Sequence, residues 1–502
     1  MRNRFSFIIL LTITCSVLSC KKTLTTDVTS LVPEANMWQV KNDARSAVFA
    51  TYGLLRAALA NSNAFMAYGE LRGGDFRISS RQDLNAVLSN NLNANYSALE
   101  EWKDWQRFYA VIAQANLCIE KLQLVSKNDF RYRPEDLKLD IANIRYLRAL
   151  TYFYLARIWG DVPLITTNAA GYFKGLPATP QATVLAFAAN EAAAAVTDLP
   201  WRYDGTWPEQ QGNYWNQNDD YWHSTVGTKA SCYALLAHIA AWQQDYAMTE
   251  KYCRLVMDNS GNGGYTVATT SQLTAEDGVF KGKGLDVIFS LSFSADYQEA
   301  SVSGHVEDWT LSEPFVPKKT ADIYVPKDSV LAIFDEAGDE RFSLNQDGTS
   351  SGNFFTNFNN SAPMFSKIKV RAITQAPVLR SYESAIIIFR YEEIILLRAA
   401  AAIRINDVSH AQDYLNMIRS QRGLGNLASK DGNEILSYIL KERRRELLGE
   451  GWRWFDLVQF KQVAAYTTLS QTDVDNGATL WPVSKSALAN NPTLIQNNFW
   501  KK

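Results

Sequence analysis

A mainly α-helical fold, built of tetratricopeptide-like helical hairpins with long loop insertions and a few short strands, is what this 502-residue sequence predicts. Three observations carry the prediction. Apolar residues recur every three to four positions over several long stretches, the period of an amphipathic helix. The chain also resembles itself: a shift of 162 residues places Leu235, Ala237, Ala240, Asp245, Tyr252 and Val256 on Leu397, Ala399, Ala402, Asp407, Tyr414 and Ile418. Small residues where two helices touch, then a turn, then a second helix, is how tetratricopeptide-like pairs are made. Between the helical stretches lie long aperiodic tracts rich in aromatic, Asn and Gly residues, which read as insertions.

Taken in order, the chain opens with Arg2 and Arg4 before an apolar run from Phe5 to Leu18, followed by Ser19-Cys20. A charged start, a short apolar core and a small residue before the cleavage point make a secretory signal over residues 1–19. Cysteine directly after the serine looks like a bacterial lipoprotein signal, with Cys20 as the lipidated first residue. An ordinary secretory signal with an incidental cysteine is the alternative. Ala35 to Ala60 reads as the first helix, with apolar positions at Val40, Ala44, Ala47 and Phe49. Asn61 to Asn95 lacks periodicity and reads as loops. Tyr96 to Leu124 reads as one helix, with a stripe of Trp105, Phe108, Ile112, Ala115 and Ile119.

Pro134 opens the next helix, with Glu135 and Asp136 in its first turn where acids suit the positive end. Gly160 ends it, and Pro163 prevents its return. Thr183 to Leu199 is a further helix. From Trp201 to Trp222 the pattern vanishes. Four Trp and three Tyr fall there among Asn, Gln, Gly and Asp. Helices resume at Gly227. Val287, Phe289, Leu291 and Phe293 alternate as in a strand, and so do Ile368, Val370 and Ala372 with Lys367, Lys369 and Arg371. Arg390 to Arg422 and Glu434 to Phe460 are helical again. A second, shorter shift of 81 places Ala149, Tyr152 and Ala156 on Ala230, Tyr233 and Ala237.

The stretch KERRRELLGEGWRWFDL, Lys441 to Leu457, is the most constrained. The apolar stripe of Ile435, Leu436, Ile439 and Leu440 continues into Glu442, Arg443, Glu446 and Leu447. Charge therefore sits on a face that should be buried, and buried charge survives only when paired. An internal ion-pair network of scaffold character follows, ended by Gly449 and Gly451.

Composition narrows the function. Hydrophobic residues are 47% and charged residues 20%, an ordinary globular balance. With Arg2 and Arg4 removed, 48 basic face 52 acidic side chains, so no polyanion partner is implied and nucleic-acid binding is disfavoured. Cys118, Cys232 and Cys253 are odd in number and fit no metal or redox spacing, so they read as buried thiols. The four histidines at 223, 238, 305 and 410 have no metal-ligand spacing, and no cofactor motif appears. Asn345-Gln346-Asp347-Gly348 resembles the start of a calcium loop without its continuation, and reads as a turn. Asp219 and Asp220 are the only acidic pair in the aromatic loop, but adjacent side chains point apart and make a poor acid–base couple.

Three segments carry a family resemblance. NIRYLRALTYFYLARIWGDVPLI (143–165), FRYEEIILLRAAAAI with LNMIRSQRGL (389–424), and KERRRELLGEGWRWFDL stand in the order found in the RagB/SusD family of outer-membrane nutrient-binding lipoproteins, and NNPTLIQNNFW (490–500) is similar to its usual ending. Ala400 stands where the family often has Glu, and Lys21 and Lys22 follow Cys20 where acidic residues are common in surface-exported members. The resemblance implies residues 20–226 as a SusD-like N-terminal region and 227–502 as the C-terminal region, packed as one unit. It does not imply an enzyme, and the absence of any cofactor motif leaves no cofactor expected. It implies a lipid-anchored outer-membrane protein that captures oligosaccharide and passes it to a SusC-like TonB-dependent transporter. A surface glycosidase and a non-glycan tetratricopeptide-like interaction protein are the rival functions.

Candidate ligand contacts follow from sugar chemistry. Aromatic rings match the apolar C–H faces of sugars, and neighbouring polar side chains satisfy the hydroxyls. Trp207, Tyr214, Trp215, Tyr221 and Trp222 in the aperiodic loop have this mixture. So do Asp75 and Arg77 in LRGGDFRIS, and Trp309 beside two acids and a threonine. Any one of these rings equally serves to pin a loop to the body.

Overall fold

The computed structural model describes residues 37–168, 175–372 and 380–501; the predicted signal segment and Cys20 lie outside them. The frame is a row of helices: α1 (Lys41–Ala60), α2 (Gln106–Asn128), α3 (Pro134–Trp159), α4 (Gln181–Asp198), α5 (Lys229–Trp242), α6 (Tyr246–Asp258), α7 (Tyr391–Arg404), α8 (Val408–Ser420) and α9 (Gly432–Glu446). Each of α1 to α7 packs on the next, α8 packs on α7, and α9 packs on both. Chain order thus becomes spatial order, as stacked helical hairpins require.

The internal repeat is structural and holds to the residue. Shifted by 162, the bounds of α5 and α6 coincide with those of α7 and α8. The turns match too. Gln244 and Asn406 both take the left-handed conformation, at φ 64° and 65°. Asp245 N–H donates to the Ala240 carbonyl at 2.9 Å, and Asp407 N–H to that of Ala402 at 2.8 Å. Each aspartate then caps the second helix, accepting from Met248 N at 3.1 Å and from His410 N at 3.3 Å.

Helix α3 begins at Pro134 and stops at Gly160, whose φ of 79° only glycine adopts easily. Leu147, Leu150, Tyr154 and Ile158 are buried as predicted. Elsewhere local detail departs from the sequence reading. Helix α1 starts at Lys41, and Val40 is 41% exposed. The expected helix from Tyr96 is two, broken at Asp104, whose backbone is extended and whose carboxylate accepts from Gln106 N at 2.9 Å. Residues 61–95 contain helices Ala64–Gly69 and Gln82–Leu88. The first of these is buried nearly all round, which erases the amphipathic signature.

Among the described residues the strands form five two-stranded ladders, and the longest has five residues in each strand. β1 (Val287–Leu291) pairs antiparallel with β2 (Ile386–Arg390), with Ile386 opposite Leu291 and Arg390 opposite Val287. The alternating Lys367–Ala372 segment is not a strand. Ile368, Val370 and Ala372 do face inward, but only Arg371 forms a bridge, to Tyr382. Lys367 instead reaches the α9 terminus, donating to the Glu446 carbonyl at 2.7 Å and to Glu450 at 2.5 Å. Asn345–Gly348 turns tightly between paired residues 343–344 and 350–351.

The ion-pair network predicted for α9 is present and dry. Glu446 accepts from Arg341 at 2.9 Å, from Arg390 at 2.9 Å and from Arg422 at 2.9 and 2.8 Å, and all four side chains are 0% exposed. Burial pushes its carboxyl up, but Arg422, Arg390 and Arg341 outweigh burial and hold it well below the usual range. Arg443 joins Glu393 at 3.0 Å and Asp456 at 2.8 Å. The turn after α9 locks onto the N-terminal half. Glu70 accepts from Gly449 N at 2.9 Å and Gly451 N at 3.0 Å. At Gly69 a Cβ would lie 1.8 Å from the Gly451 carbonyl oxygen, so this crossing needs glycine.

Candidate functional site

The aperiodic tract 201–222 folds by knotting its own rings to the frame. Asp140 on α3 is fully buried and accepts from the Tyr214 hydroxyl at 2.5 Å and the Tyr132 hydroxyl at 2.8 Å. Burial pushes its carboxyl up to about 7 against those two hydrogen bonds. Trp222 donates its indole N–H to the Tyr214 carbonyl at 2.8 Å and stacks on Phe49 of α1, centroids 5.3 Å apart and planes 5° from parallel. Trp215 sits in the left-handed conformation at φ 48°, stacked on Tyr132 and beneath the Lys41 ammonium at 5.1 Å. Trp207 lies in a hairpin, paired with Gln210.

This knot separates two cavities. The larger, about 1360 Å³, is bounded by one face of α1, by Tyr221 and Trp222, and by the chain leaving β1 as far as Glu299. The smaller, about 360 Å³, lies on the Trp215 side with Lys41, Glu209 and Asp136.

In the larger cavity α1 presents Asn42, Arg45, Ser46, Phe49, Gly53 and Arg56, spaced three or four apart as one helix face. Opposite stands Tyr297, 65% exposed, in a turn that follows β1. Burial and the neighbouring Tyr297 hydroxyl raise the Tyr221 hydroxyl above its ordinary value. Arg56 donates to the Ser292 carbonyl at 2.7 Å and to Glu299 at 2.6 Å, and lies 4.8 Å from the centre of the Phe293 ring. Charge is balanced: five basic and five acidic side chains line the cavity. Three pairs form, Arg56–Glu299, Arg371–Glu276 and Lys281–Glu383, while Arg45, Lys283, Asp277 and Asp296 have no ionic partner among the described residues. The carboxyls that burial pushes up to about 7, Glu70, Asp140 and Glu307, line neither cavity.

The candidates named from sequence therefore separate. Tyr221 and Trp222 line the larger cavity, and Tyr214 and Trp215 the smaller. Asp75, Arg77, Trp207 and Trp309 line neither. Asp75 is buried between Arg444 at 2.5 Å and Arg453 at 3.2 Å. Arg77 is exposed and donates to the carbonyls of Gly74 and Phe76. Trp309 is 2% exposed, packed edge-on against Trp102 and under Arg81, so it offers no open face. Tyr297, Phe293 and the polar face of α1 were not singled out by sequence. Tyr297 stands alone in FSADYQEA, where nothing marks it as a site.

Comparison with known proteins agrees with this architecture. A model of the SusD family matches residues 334–500, and one described as starch-binding, associating with outer membrane, matches 31–196. SusD-like protein P38 of Formosa agariphila is 25% identical, aligned over 99% of each chain. A laminarin-binding SusD-like protein shares the fold, with TM-score 0.71 at 20% identity over 91% of this chain and 99% of that one. A SusD superfamily protein from Bacteroides thetaiotaomicron is 38% identical, covers 93% of this chain and 100% of its own, and superposes with TM-score 0.84. With that identity sustained over nearly the whole length, the chain belongs to the SusD family.

Proposed function

We propose that this chain is a cell-surface glycan-binding lipoprotein that holds a neutral oligosaccharide in the larger cavity and delivers it to a TonB-dependent outer-membrane transporter. The observation that carries the reading is Tyr297: a ring 65% exposed at the wall of a cavity lined by further rings and polar groups. An exposed aromatic face with hydroxyl partners nearby suits a sugar ring. Balanced charge favours a neutral ligand over an acidic one, since an anionic glycan would meet as many carboxylates as cations. The rival glycosidase reading is tested by reducing-sugar release from the same glycans by the purified protein. The laminarin-binding neighbour and the starch-binding family description support glycan as the class.

Calorimetry against laminarin, starch and acidic oligosaccharides tests the site. A neutral glycan should bind, and Tyr297→Ala and Tyr221→Ala should weaken it while leaving the melting temperature unchanged. Equal affinity in both variants would place the ligand elsewhere. The anchor is tested by labelled palmitate, which should be incorporated by the parent and lost in Cys20→Ala. Delivery is tested by co-purification with a β-barrel partner from membranes.

A further inference from the structure

Gly53 lies within α1, on the face that lines the larger cavity, one turn from Phe49 and one turn from Arg56. Glycine is among the poorest helix formers, and a mid-helix glycine is ordinarily explained by a close approach or by a backbone that an L residue adopts badly. Neither holds here. A Cβ built at Gly53 meets nothing within 4 Å, whereas one at Gly69 or Gly160 collides. Gly53 is also absent from the residues with positive φ. Packing within the protein therefore does not require glycine, yet its absent side chain leaves a stretch of helix backbone bare on the cavity wall.

We infer that Gly53 keeps open a slot for one sugar ring, which lies with its C–H face against the α1 backbone between Phe49 and Arg56. The inference rests on the glycan reading above and deepens it, by making Gly53 the residue that sets which ring is accepted. Backbone N–H and C=O groups within a helix are already bonded to one another, so this surface offers contact without hydrogen bonds. A flat C–H face suits it, and a ring substituted on that face does not fit. The ring hydroxyls would instead meet groups on the other walls, among them the half-buried Ser292, whose hydroxyl lies 3.1 Å from that of the buried Ser290.

The test uses the full-length protein with laminarin and starch oligosaccharides as probes, and two readouts. Gly53→Ala should raise the melting temperature, because a better helix former enters open space, and should weaken binding several-fold. Gly53→Leu should weaken it at least tenfold with the fold retained. A melting temperature lowered in Gly53→Ala would show that the fold itself needs glycine, and would overturn the inference. So would unchanged affinity in Gly53→Leu. If Tyr297→Ala loses affinity and Gly53→Leu does not, the slot alone falls. If the parent binds neither probe, the glycan reading falls and the slot with it.

Discussion

Around Glu446 three guanidiniums close on one carboxylate with no access to water, whereas in the cavity Arg56 and Glu299 meet with side chains 28% and 30% exposed. Both are ion pairs at hydrogen-bonding distance, yet they answer to different physics. In the dry network, losing one partner strands charge where nothing can solvate it. At the cavity wall water already competes for each group, so a partner can be exchanged for a ligand hydroxyl at small cost. The dry network holds the α9 turn to the rest of the frame; the wet pairs leave a surface able to re-form its hydrogen bonds around a guest.

The largest effect should come from breaking the dry side. Glu446→Ala removes the common partner of Arg341, Arg390 and Arg422 and should destabilise by about 3–5 kcal/mol, read from chemical denaturation. Glu299→Ala, which breaks a wet pair, should cost less than about 1 kcal/mol. Equal costs would erase the contrast between the two regions.

Next is a pH effect at the joint between frame and aromatic loop. The Asp140 carboxyl is pushed up to about 7 in the folded chain against an ordinary 3.8. Above pH 7 it is ionised in both states and burial of its charge costs the folded state in full. As pH falls from 7 towards 3.8 only the folded state takes up the proton, so stability rises. Relative to Asp140→Asn, in which nothing titrates there, the parent should gain about 2 kcal/mol between pH 8 and 5.5. Urea unfolding of both proteins at the two pH values measures it, and a difference independent of pH would show that Asp140 stays ionised in the fold.

How much of this was legible in the sequence depended on how local the cause was. The hairpins were, because a period of three to four residues and the pairing of Leu235 with Leu397 are properties of short stretches. That Glu446 would be buried and paired followed from its place on an apolar stripe. Its partners did not, since Arg341 comes from a loop 105 positions away. The same distance hid the role of Asp75: beside Arg77 it looked free to meet a ligand, but Arg444, 369 positions on, claims it. Aromatic density pointed to the 201–222 loop, which does border both cavities, yet most of that density goes into the knot around Tyr214. The ring with the open face, Tyr297, lies in a segment of unremarkable composition, and Gly53 reads from sequence as ordinary helix.

Smaller effects sharpen the wet side. Tyr297→Ala should cost about 0.5–1.5 kcal/mol of ligand affinity, by analogy with aromatic pairs, and no stability. Smaller still, raising salt should barely change affinity for a neutral glycan, because the lining carries no net charge for ions to screen. Calorimetry at low and high ionic strength reads this directly, and a steep salt dependence would point to a charged ligand.

The duplicated hairpins have one more consequence. Because α6 packs on α7, the chain leaves the scaffold at Asp258 and rejoins it at Tyr391 beside its own point of departure. β1, Tyr297, Lys283 and most of the cavity wall opposite α1 belong to that excursion. Closing a loop costs only logarithmically more as it lengthens, about 0.6 kcal/mol per doubling. The excursion can therefore gain or lose segments while the helices beneath keep their register, so that the cavity wall can be remade without rebuilding the scaffold.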